Sequence, residues 1–465
     1  MRLYLFYTCC LLSLISCANY ADLHNQTTPL DNTVLSTHHH YTRSQKSTSQ
    51  DWWRILKDPA LNHLIDVALN DSPTLQNAES RVRFAQQIAA GTNASLWPAI
   101  DANASVARRK FTANTFFPPP FGGNTFTQGV VGLNFNYEFD FWGKNRETFA
   151  AKMSQAEFAR ANVLATRLVL TTALATTYLQ LQSNLLQLSL AQKILQERSA
   201  TFNIIKDRTQ NDIASEIPLT LANTDLQKAK IRVSSYREAV ALSQHQLAVL
   251  MGKNALVSHV DTVSFHQRRL TIPRVIPANL LAQRPDVLAA RSEMEVYAHE
   301  VNAAKARFFP NINLQAIFSM QSFGLNKLFE PSSQDYIAGA AIDLPIFDAG
   351  KRRANLGVQY AAFDEAVTQY NQTILVALRQ TADQLSILHA RDSELTAQSS
   401  AVRSMENNVK LTSSRFHHGI VDYTDVLRAK SILLEQQTLQ IQLQTQRQQA
   451  VIALVKALGG KFQDS

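Results

Sequence analysis

A cysteine at the end of an apolar N-terminal run is the clearest reactive group in the sequence. The string Leu14-Ile15-Ser16-Cys17 closes a short apolar stretch that begins after one basic residue. This pattern is typical of a bacterial lipobox, in which a peptidase cuts before a cysteine whose sulfur has been acylated. We therefore predict a lipoprotein signal peptide at 1–16 and a lipidated Cys17. The alternative is an ordinary secretory signal followed by an incidental cysteine.

The other two cysteines do not compete with Cys17 for a function. Cys9 and Cys10 lie inside the apolar run and would be removed with it. The mature chain then keeps one cysteine, which cannot form an internal disulfide. Residue 18 is Ala rather than Asp, and in bacterial lipoproteins this permits sorting onward to the outer membrane.

The remaining reactive side chains do not form a catalytic pattern. The sequence has no nucleophile elbow, no zinc-binding helix motif and no phosphate-binding loop. The run His38-His39-His40 has no carboxylate or cysteine at metal-ligand spacing. We expect no catalytic, cofactor or metal site, and a hydrolase is the disfavoured alternative.

The composition argues against two further classes, nucleic-acid-binding proteins and proteins with membrane-spanning helices. The net charge is +8, but the basic residues are scattered and form no stripe with interleaved aromatics, so we expect no nucleic-acid partner. Beyond residue 16 there is no apolar stretch of about 18 residues, the length that a membrane helix needs. Any membrane span would therefore have to use strands.

The sequence contains an internal duplication. Gly143 and Gly350 are 207 residues apart, and each follows a strand-like segment and opens a long helix. Two copies are too few for a solenoid, so we interpret them as halves of one subunit. The same offset aligns Arg208 with Arg415, Ile213 with Ile420, Ala222 with Ala429, Leu247 with Leu454, and Gly252 with Gly459.

This duplication predicts the division of the mature chain. A Ser-, Thr-, Asn- and His-rich tether precedes the first repeat, and a segment with two prolines separates the repeats. The expected parts are a lipidated tether at 17–50, a first repeat at 51–252, an equatorial connecting segment at 253–283, a second repeat at 284–460 and a tail at 461–465.

Each repeat is expected to contain a helix, a strand pair, a very long helix and a shorter returning helix. The predicted first helices are 73–95 and 285–307, and the strand pairs are 97–112 with 128–141 and 309–321 with 335–347. The long helix of the first repeat is predicted at 143–205 and its returning helix at 216–250.

The strands alternate between two faces. Alternation of apolar and polar side chains is typical of a transmembrane barrel strand, although a half-buried soluble sheet gives the same pattern. One face of 131–141 carries Val131, Leu133, Phe135, Tyr137, Phe139 and Phe141, and the other carries Gly132, Asn134, Asn136, Glu138 and Asp140.

The long helices are predicted to pack as coiled coils. Residues 144–217 and 358–418 contain neither Gly nor Pro, and apolar residues recur every seventh position. Such a repeat forms a packing seam between helices rather than a cofactor site. The apolar stripe is Leu174, Leu181, Leu188, Leu195 and Phe202, and the positions 207 further on are Thr381, Leu388, Leu395, Val402 and Val409.

Four strands per chain cannot close a barrel. Open strand edges are not tolerated in lipid, and small single-chain barrels have eight strands. The chain must therefore oligomerise, and three copies would supply twelve strands above a hollow helical tube. The predicted fold is mainly α, with a duplicated half and a trimeric 12-stranded transmembrane β-barrel joined to an α-helical coiled-coil tunnel.

Several strings then resemble a known family along nearly all of the mature chain from residue 51. The sequence is similar to the outer-membrane efflux proteins of the TolC type, in particular the NodT-like lipoproteins of RND multidrug pumps. The matching strings are Asp51-Trp52-Trp53, Asp58-Pro59-Ala60-Leu61, Tyr137-Glu138-Phe139-Asp140-Phe141-Trp142-Gly143, Gln283-Arg284-Pro285-Asp286-Val287, Ala306-Arg307-Phe308-Phe309-Pro310 and Leu344-Pro345-Ile346-Phe347-Asp348-Ala349-Gly350-Lys351-Arg352-Arg353.

The resemblance implies a homotrimer that conducts drugs or other small molecules passively to the exterior. It implies a barrel in outer-membrane lipid, a tunnel extending into the periplasm, and Gly143 and Gly350 at the barrel-to-tunnel turns. It also implies two partners, a periplasmic adaptor protein and an inner-membrane RND-type transporter.

The resemblance further implies an aperture at the helix tips. The turn from Phe416 to Leu427 matches the family pattern, and Asp425 falls at an aperture carboxylate, with Arg428 one turn later. A plainer interpretation of Asp425 is a helix-start residue that the helix dipole stabilises. In the first repeat Asp212 replaces the usual turn glycine, and Glu216 lies nearby. The candidates are Asp425, Arg428, Glu216 and Asp212, with the tip turn at Phe416 and Gly419.

Two alternatives remain from the sequence. The same architecture would serve a channel for type I protein secretion, which uses different adaptors. A periplasmic coiled-coil scaffold without a pore would need the long helices but not four aromatic-edged strands.

Overall fold

The computed structural model describes residues 20, 22–30, 51–114, 116, 118–213, 215–254 and 281–460. The described helices and strands follow one another in the predicted order. The helices are α1 (Pro59–Asp71), α2 (Pro73–Asn93), α3 (Lys144–Gln210), α4 (Glu216–Leu250), α5 (Pro285–Ala306), α6 (Lys351–His417) and α7 (Tyr423–Ala457). The strands are β1 (Ala99–Lys110), β2 (Thr125–Phe139), β3 (Asn311–Phe323) and β4 (Gln334–Asp343).

The internal duplication appears directly in the helices. Helices α3 and α6 each have 67 residues, and α4 and α7 each have 35. In both pairs the second copy begins and ends 207 positions after the first. Helix α3 continues to Gln210 rather than to the predicted 205, because no helix-breaking residue intervenes before the turn. None of the described helices has both the length and the apolar character required to cross a membrane.

The chain divides into two compact units. Unit 1 comprises residues 1–30, 80–160 and 289–371, and unit 2 comprises 31–79, 161–288 and 372–465. The signal peptide, Cys17, most of the tether, the tail and residues 255–280 of the connecting segment lie outside the described residues. The predictions for those parts therefore stay predictions.

Unit 1 contains one antiparallel sheet in the order β1-β2-β3-β4. The central pairing of β2 with β3 joins the two repeats, with Phe135 opposite Ala316, and leaves β1 and β4 at the edges. Strand β2 begins at Thr125, earlier than the predicted 128, and β4 ends at Asp343 rather than at 347. Pro345 accounts for the early end of β4, because proline has no N–H to donate to a neighbouring strand.

Unit 2 has a core of large apolar side chains. Trp53, Ile65, Leu174, Leu388 and Leu454 are each at most 1% exposed and belong to one cluster. Two members of the predicted first heptad stripe, Leu174 and Leu181, lie in this cluster, which agrees with a packing seam.

A hydrogen-bonded aspartate fixes the start of α1 against α3. The Asp58 carboxylate accepts the backbone N–H groups of Ala60 and Leu61 at 3.0 and 3.1 Å, which caps the helix. It also accepts the Tyr178 hydroxyl at 3.0 Å. Burial and the neighbouring Asp58 charge raise the pKa of Tyr178, so the hydroxyl stays a proton donor.

Glycines end both returning helices, as the aligned sequence positions predict. Gly252 and Gly459 have φ of 71° and 74°, the left-handed conformation that closes a helix. A Cβ on Gly252 would lie 2.5 Å from the Asp71 carbonyl oxygen, and one on Gly459 would lie 3.0 Å from the Cα of Arg284. Close packing and backbone conformation therefore both require glycine at these ends.

Candidate functional site at the helix turns

Two turns of matching geometry join the long helices to the returning helices in unit 2. In the first turn, the N–H of Ile213 donates to the carbonyl oxygen of Arg208 at 2.8 Å. In the second turn, the N–H of Ile420 donates to the carbonyl oxygen of Arg415 at 2.9 Å. This bonding closes each helix in a Schellman motif, which needs one left-handed residue. Gly419 supplies it in the second turn, with φ of 70°.

Asp212 takes the place of that glycine in the first turn. Its φ is 59°, and its N–H donates to the Thr209 carbonyl at 3.1 Å. Aspartate is among the few residue types other than glycine that adopt this conformation at modest cost. The departure from the family pattern therefore leaves the shape of the turn unchanged and adds a negative charge at the tip.

An ion pair that the sequence did not predict connects the two turns. Both guanidinium nitrogens Nη1 and Nη2 of Arg208 donate to the carboxylate of Asp422, each at 3.0 Å. Asp422 precedes α7, yet its side chain makes no capping hydrogen bond because both oxygens face Arg208. The end of α3 in the first repeat is thereby tied to the start of α7 in the second.

The same pair has a clear electrostatic signature. The hydrogen bond from Arg208, with its positive charge, lowers the pKa of Asp422 below the ordinary 3.8. The hydrogen bond to Asp422 correspondingly raises the pKa of Arg208. Both side chains are substantially exposed, at 39% and 57% of their surface, so salt will screen the attraction.

The four predicted aperture residues lie at this end of the helices. Asp425 is in the first turn of α7 and Glu216 is in the first turn of α4. Asp425 is half-buried, whereas Arg428, Glu216 and Asp212 are exposed. Within the described part of the chain, the side chains of these four residues form no hydrogen bond or ion pair.

The predicted tip residue Phe416 packs across the second turn. Its ring lies 5.2 Å from the ring of Tyr423 and 5.8 Å from that of His417. This contact joins the end of α6 to the start of α7. Phe416 therefore stabilises the turn that positions Asp425, and Gly419 gives that turn its direction.

The predicted turns at Gly143 and Gly350 lie in unit 1, where strands lead into the long helices. Their φ values are 80° and 85°. Asp140 accepts the backbone N–H groups of Asn145 and Arg146, and Asp348 accepts those of Gly350 and Arg352. Each long helix thus begins with a carboxylate that satisfies its free N–H groups.

Sequence reasoning missed the Arg208–Asp422 pair because the two residues are 214 positions apart. Asp422 lies within the turn that resembles the family pattern, but that pattern does not indicate a partner for it. The duplication offers a hint in retrospect. The counterpart of Asp422 in the first repeat is Ser215, so a carboxylate occurs at only one of two equivalent positions.

Comparison with known proteins gives one consistent result. The family described as "Outer membrane efflux protein" matches residues 64–253 and 276–460. The putative multidrug resistance outer membrane protein MdtQ of Escherichia coli K12 is 28% identical over 419 residues, which cover 88% of each chain.

Solved structures agree with the sequence comparison. The outer membrane protein VceC of Vibrio cholerae has a TM-score of 0.80 and 30% identity, covering 90% of this chain and all of that one. The Campylobacter jejuni CmeC outer membrane channel has a TM-score of 0.84 at 22% identity, covering 95% of this chain and 94% of that one.

Proposed function

Because the chain belongs to the outer membrane efflux protein family, we propose that three copies form a passive exit duct for drugs or other small molecules. The chain is an outer-membrane channel protein of an efflux system and not an enzyme. It resides in the outer membrane and extends into the periplasm.

The open sheet of unit 1 supports assembly as a trimer. Edge strands β1 and β4 expose large apolar side chains in the single chain, such as Ile100 at 67%, Ile337 at 64% and Ile342 at 70%. When the strands close into a cylinder surrounded by lipid, the unpaired backbone groups of the edge strands form hydrogen bonds, and the exposed apolar side chains contact lipid. Three copies of a four-stranded sheet give the twelve strands of the proposed barrel.

Acylation of Cys17 would add a second hold on the membrane. One acyl chain binds a bilayer only reversibly, whereas several chains or an inserted barrel hold firmly. In the proposed assembly the anchor and the strands enter the same membrane. Replacing Cys17 with Ser would remove the lipid, which mass spectrometry of the purified protein would detect.

The proposed aperture is formed by the tips of the helices. The carboxylate of Asp425 has no partner in the described chain and can contribute to a ring of charge, a common means of selectivity in pores. Arg428 lies one turn away, so its positive charge reduces the preference for cations. Asp212 and Glu216 add negative charge from the first repeat.

A periplasmic adaptor and an inner-membrane RND-type transporter are the proposed partners. The relative MdtQ is named a multidrug resistance protein, which fits an exit duct joined to a drug pump. We assign substrate choice to the transporter, since a passive duct has little need for a specific cargo pocket.

The open four-stranded sheet joined to paired long helices is the observation that carries the proposal. The test is single-channel recording with the purified, acylated protein in planar bilayers. We expect discrete conductance steps together with an SDS-resistant trimer that dissociates on heating. A monomer without conductance would refute the proposal and favour a periplasmic scaffold.

A second measurement addresses cargo. Restoring drug resistance to a bacterium that lacks its own channel, when the matching pump and adaptor are present, would support drug efflux. Release of a secreted protein without any change in drug resistance would favour the secretion alternative.

A further inference from the structure

The segment 22–30, here called the strap, has no helix or strand of its own yet lies along α6 in unit 1. Asp22 forms an ion pair with Arg353, and Leu30 bonds to Asn371. Arg353 and Asn371 are separated by roughly 27 Å at about 1.5 Å per helical residue. Eight extended residues span roughly 26–29 Å, so the strap follows the helix at full stretch.

An apolar groove on α5 and α6 receives the beginning of this region. Tyr20 and Leu23 pack against a buried cluster in which the Tyr20 and Phe308 rings lie 4.7 Å apart. The other groove residues are Val301, Ala304, Leu356, Tyr360 and Phe363. Burial of these apolar groups favours binding of the strap, but it does not determine which strap residue lies beside which residue of α6.

The carboxylate of Asp364 fixes the alignment of the strap along α6. Asp364 accepts the backbone N–H groups of Gln26 and Thr27 at 2.9–3.0 Å. It also accepts the Thr27 hydroxyl at 2.7 Å. Three donors from two consecutive residues therefore meet one charged acceptor, and hydrogen bonds of this kind are stronger than neutral ones.

Asn371 adds a second recognition point two helical turns further along. Its amide oxygen accepts the N–H of Leu30 at 2.7 Å, and its amide nitrogen donates to the carbonyl of Thr28 at 3.1 Å. This paired contact reads the backbone of an extended chain. Asp364 and Asn371 lie on the same face because seven residues make about two turns.

Among the described residues, the first repeat has no matching set of contacts. At positions 207 earlier, Glu157 stands for Asp364, Leu164 for Asn371, and Ala156 for Phe363. Glu157 forms an ion pair with Arg160 on its own helix, and leucine cannot pair with a peptide backbone. Only one of the two quasi-equivalent helices is therefore built to hold the strap.

We propose that residues 22–30 are a specific intramolecular ligand of the second repeat, recognised through Asp364 and Asn371, and that they fix the N-terminal region to α6. A force applied to the N-terminus is then transmitted to α6 through the strap. The strap also makes the two repeats unequal, because it covers one of two otherwise similar surfaces. This inference does not depend on conduction.

Hydrogen exchange of the full-length acylated protein, read by mass spectrometry, tests the strap directly. In the wild type we expect the amides of Gln26, Thr27 and Leu30 to be protected. Asp364→Asn should accelerate exchange at Gln26 and Thr27 at least tenfold. The control Glu365→Gln, an exposed neighbour, should leave it unchanged.

A second pair of variants keeps the test valid if changes on α6 impair folding. Thr27→Val removes only the hydroxyl that Asp364 accepts, whereas Thr28→Val alters an exposed side chain. Thr27→Val should accelerate exchange severalfold and Thr28→Val should not. Unprotected strap amides in the wild type, or equal exchange in both threonine variants, would overturn the proposal. Conductance does not enter either measurement, so failure here leaves the proposed channel function unaffected.

Discussion

The glycine that ends α4 offers a prediction whose size follows from the structure. Gly252 and Gly419 have nearly the same left-handed φ, 71° and 70°. Alanine at either position incurs the strain of that conformation, roughly 1–2 kcal/mol. At Gly419 nothing lies within 4 Å of the added Cβ, so this strain is the whole cost.

Gly252 adds a steric term. The new Cβ would lie 2.5 Å from the Asp71 carbonyl oxygen and 3.2 Å from the Pro73 ring. Backbone atoms cannot rotate away, so α1 and α2 would have to shift, and overpacking of this kind costs roughly 1–3 kcal/mol. The expected loss of unfolding free energy is therefore roughly 2–5 kcal/mol for Gly252→Ala and roughly 1–2 kcal/mol for Gly419→Ala.

Urea denaturation of the detergent-solubilised protein, followed by helical circular dichroism, compares the two variants under identical conditions. Gly252→Ala should unfold at the lower urea concentration. If Gly419→Ala is equally or more destabilised, the assigned packing of Gly252 against Asp71 is wrong.

The remaining predictions concern the helix turns. Arg208→Gln should raise single-channel conductance or open time because it releases the bidentate tie to Asp422, whereas Arg415→Gln, the aligned exposed arginine, should not. The pKa of Asp422 is lowered, so its ion pair with Arg208 contributes fully above pH 3.8 and is lost only as the pH falls through the lowered value. Single-channel conductance of the wild type should therefore be the same at pH 7 and at pH 5. Asp425→Asn should lower the cation-to-anion permeability ratio measured from reversal potentials, while Asp383→Asn, an exposed carboxylate far along α6, should leave the ratio unchanged.

The elements that the sequence predicted well are those encoded by local periodicity. Absence of Gly and Pro over long stretches specified α3 and α6, and Gly252 and Gly459 marked the ends of the returning helices. Alternating strands gave the four β segments, with boundary shifts at Thr125 and Asp343. Such signals depend on neighbouring residues, which one sequence contains in full.

Contacts between distant segments were not predictable in the same way. Arg208 and Asp422 meet because two turns lie at the same end of unit 2, and nothing near either residue indicates that meeting. The strap was expected as a tether, since its polar composition lacks periodicity, yet Asp364 and Asn371 order it. The roles of Asp425, Arg428, Glu216 and Cys17 stay predictions.

The order of strands in the sheet limits how copies can join. The two free edges, β1 and β4, come from different repeats and are not interchangeable. In the proposed assembly all copies cross the membrane in the same direction, so only a joint of β4 of one copy with β1 of the next preserves the antiparallel alternation. Such head-to-tail joints generate a ring by rotation when the rotation closes. The strand order of a single chain therefore specifies which two edges meet in the proposed ring.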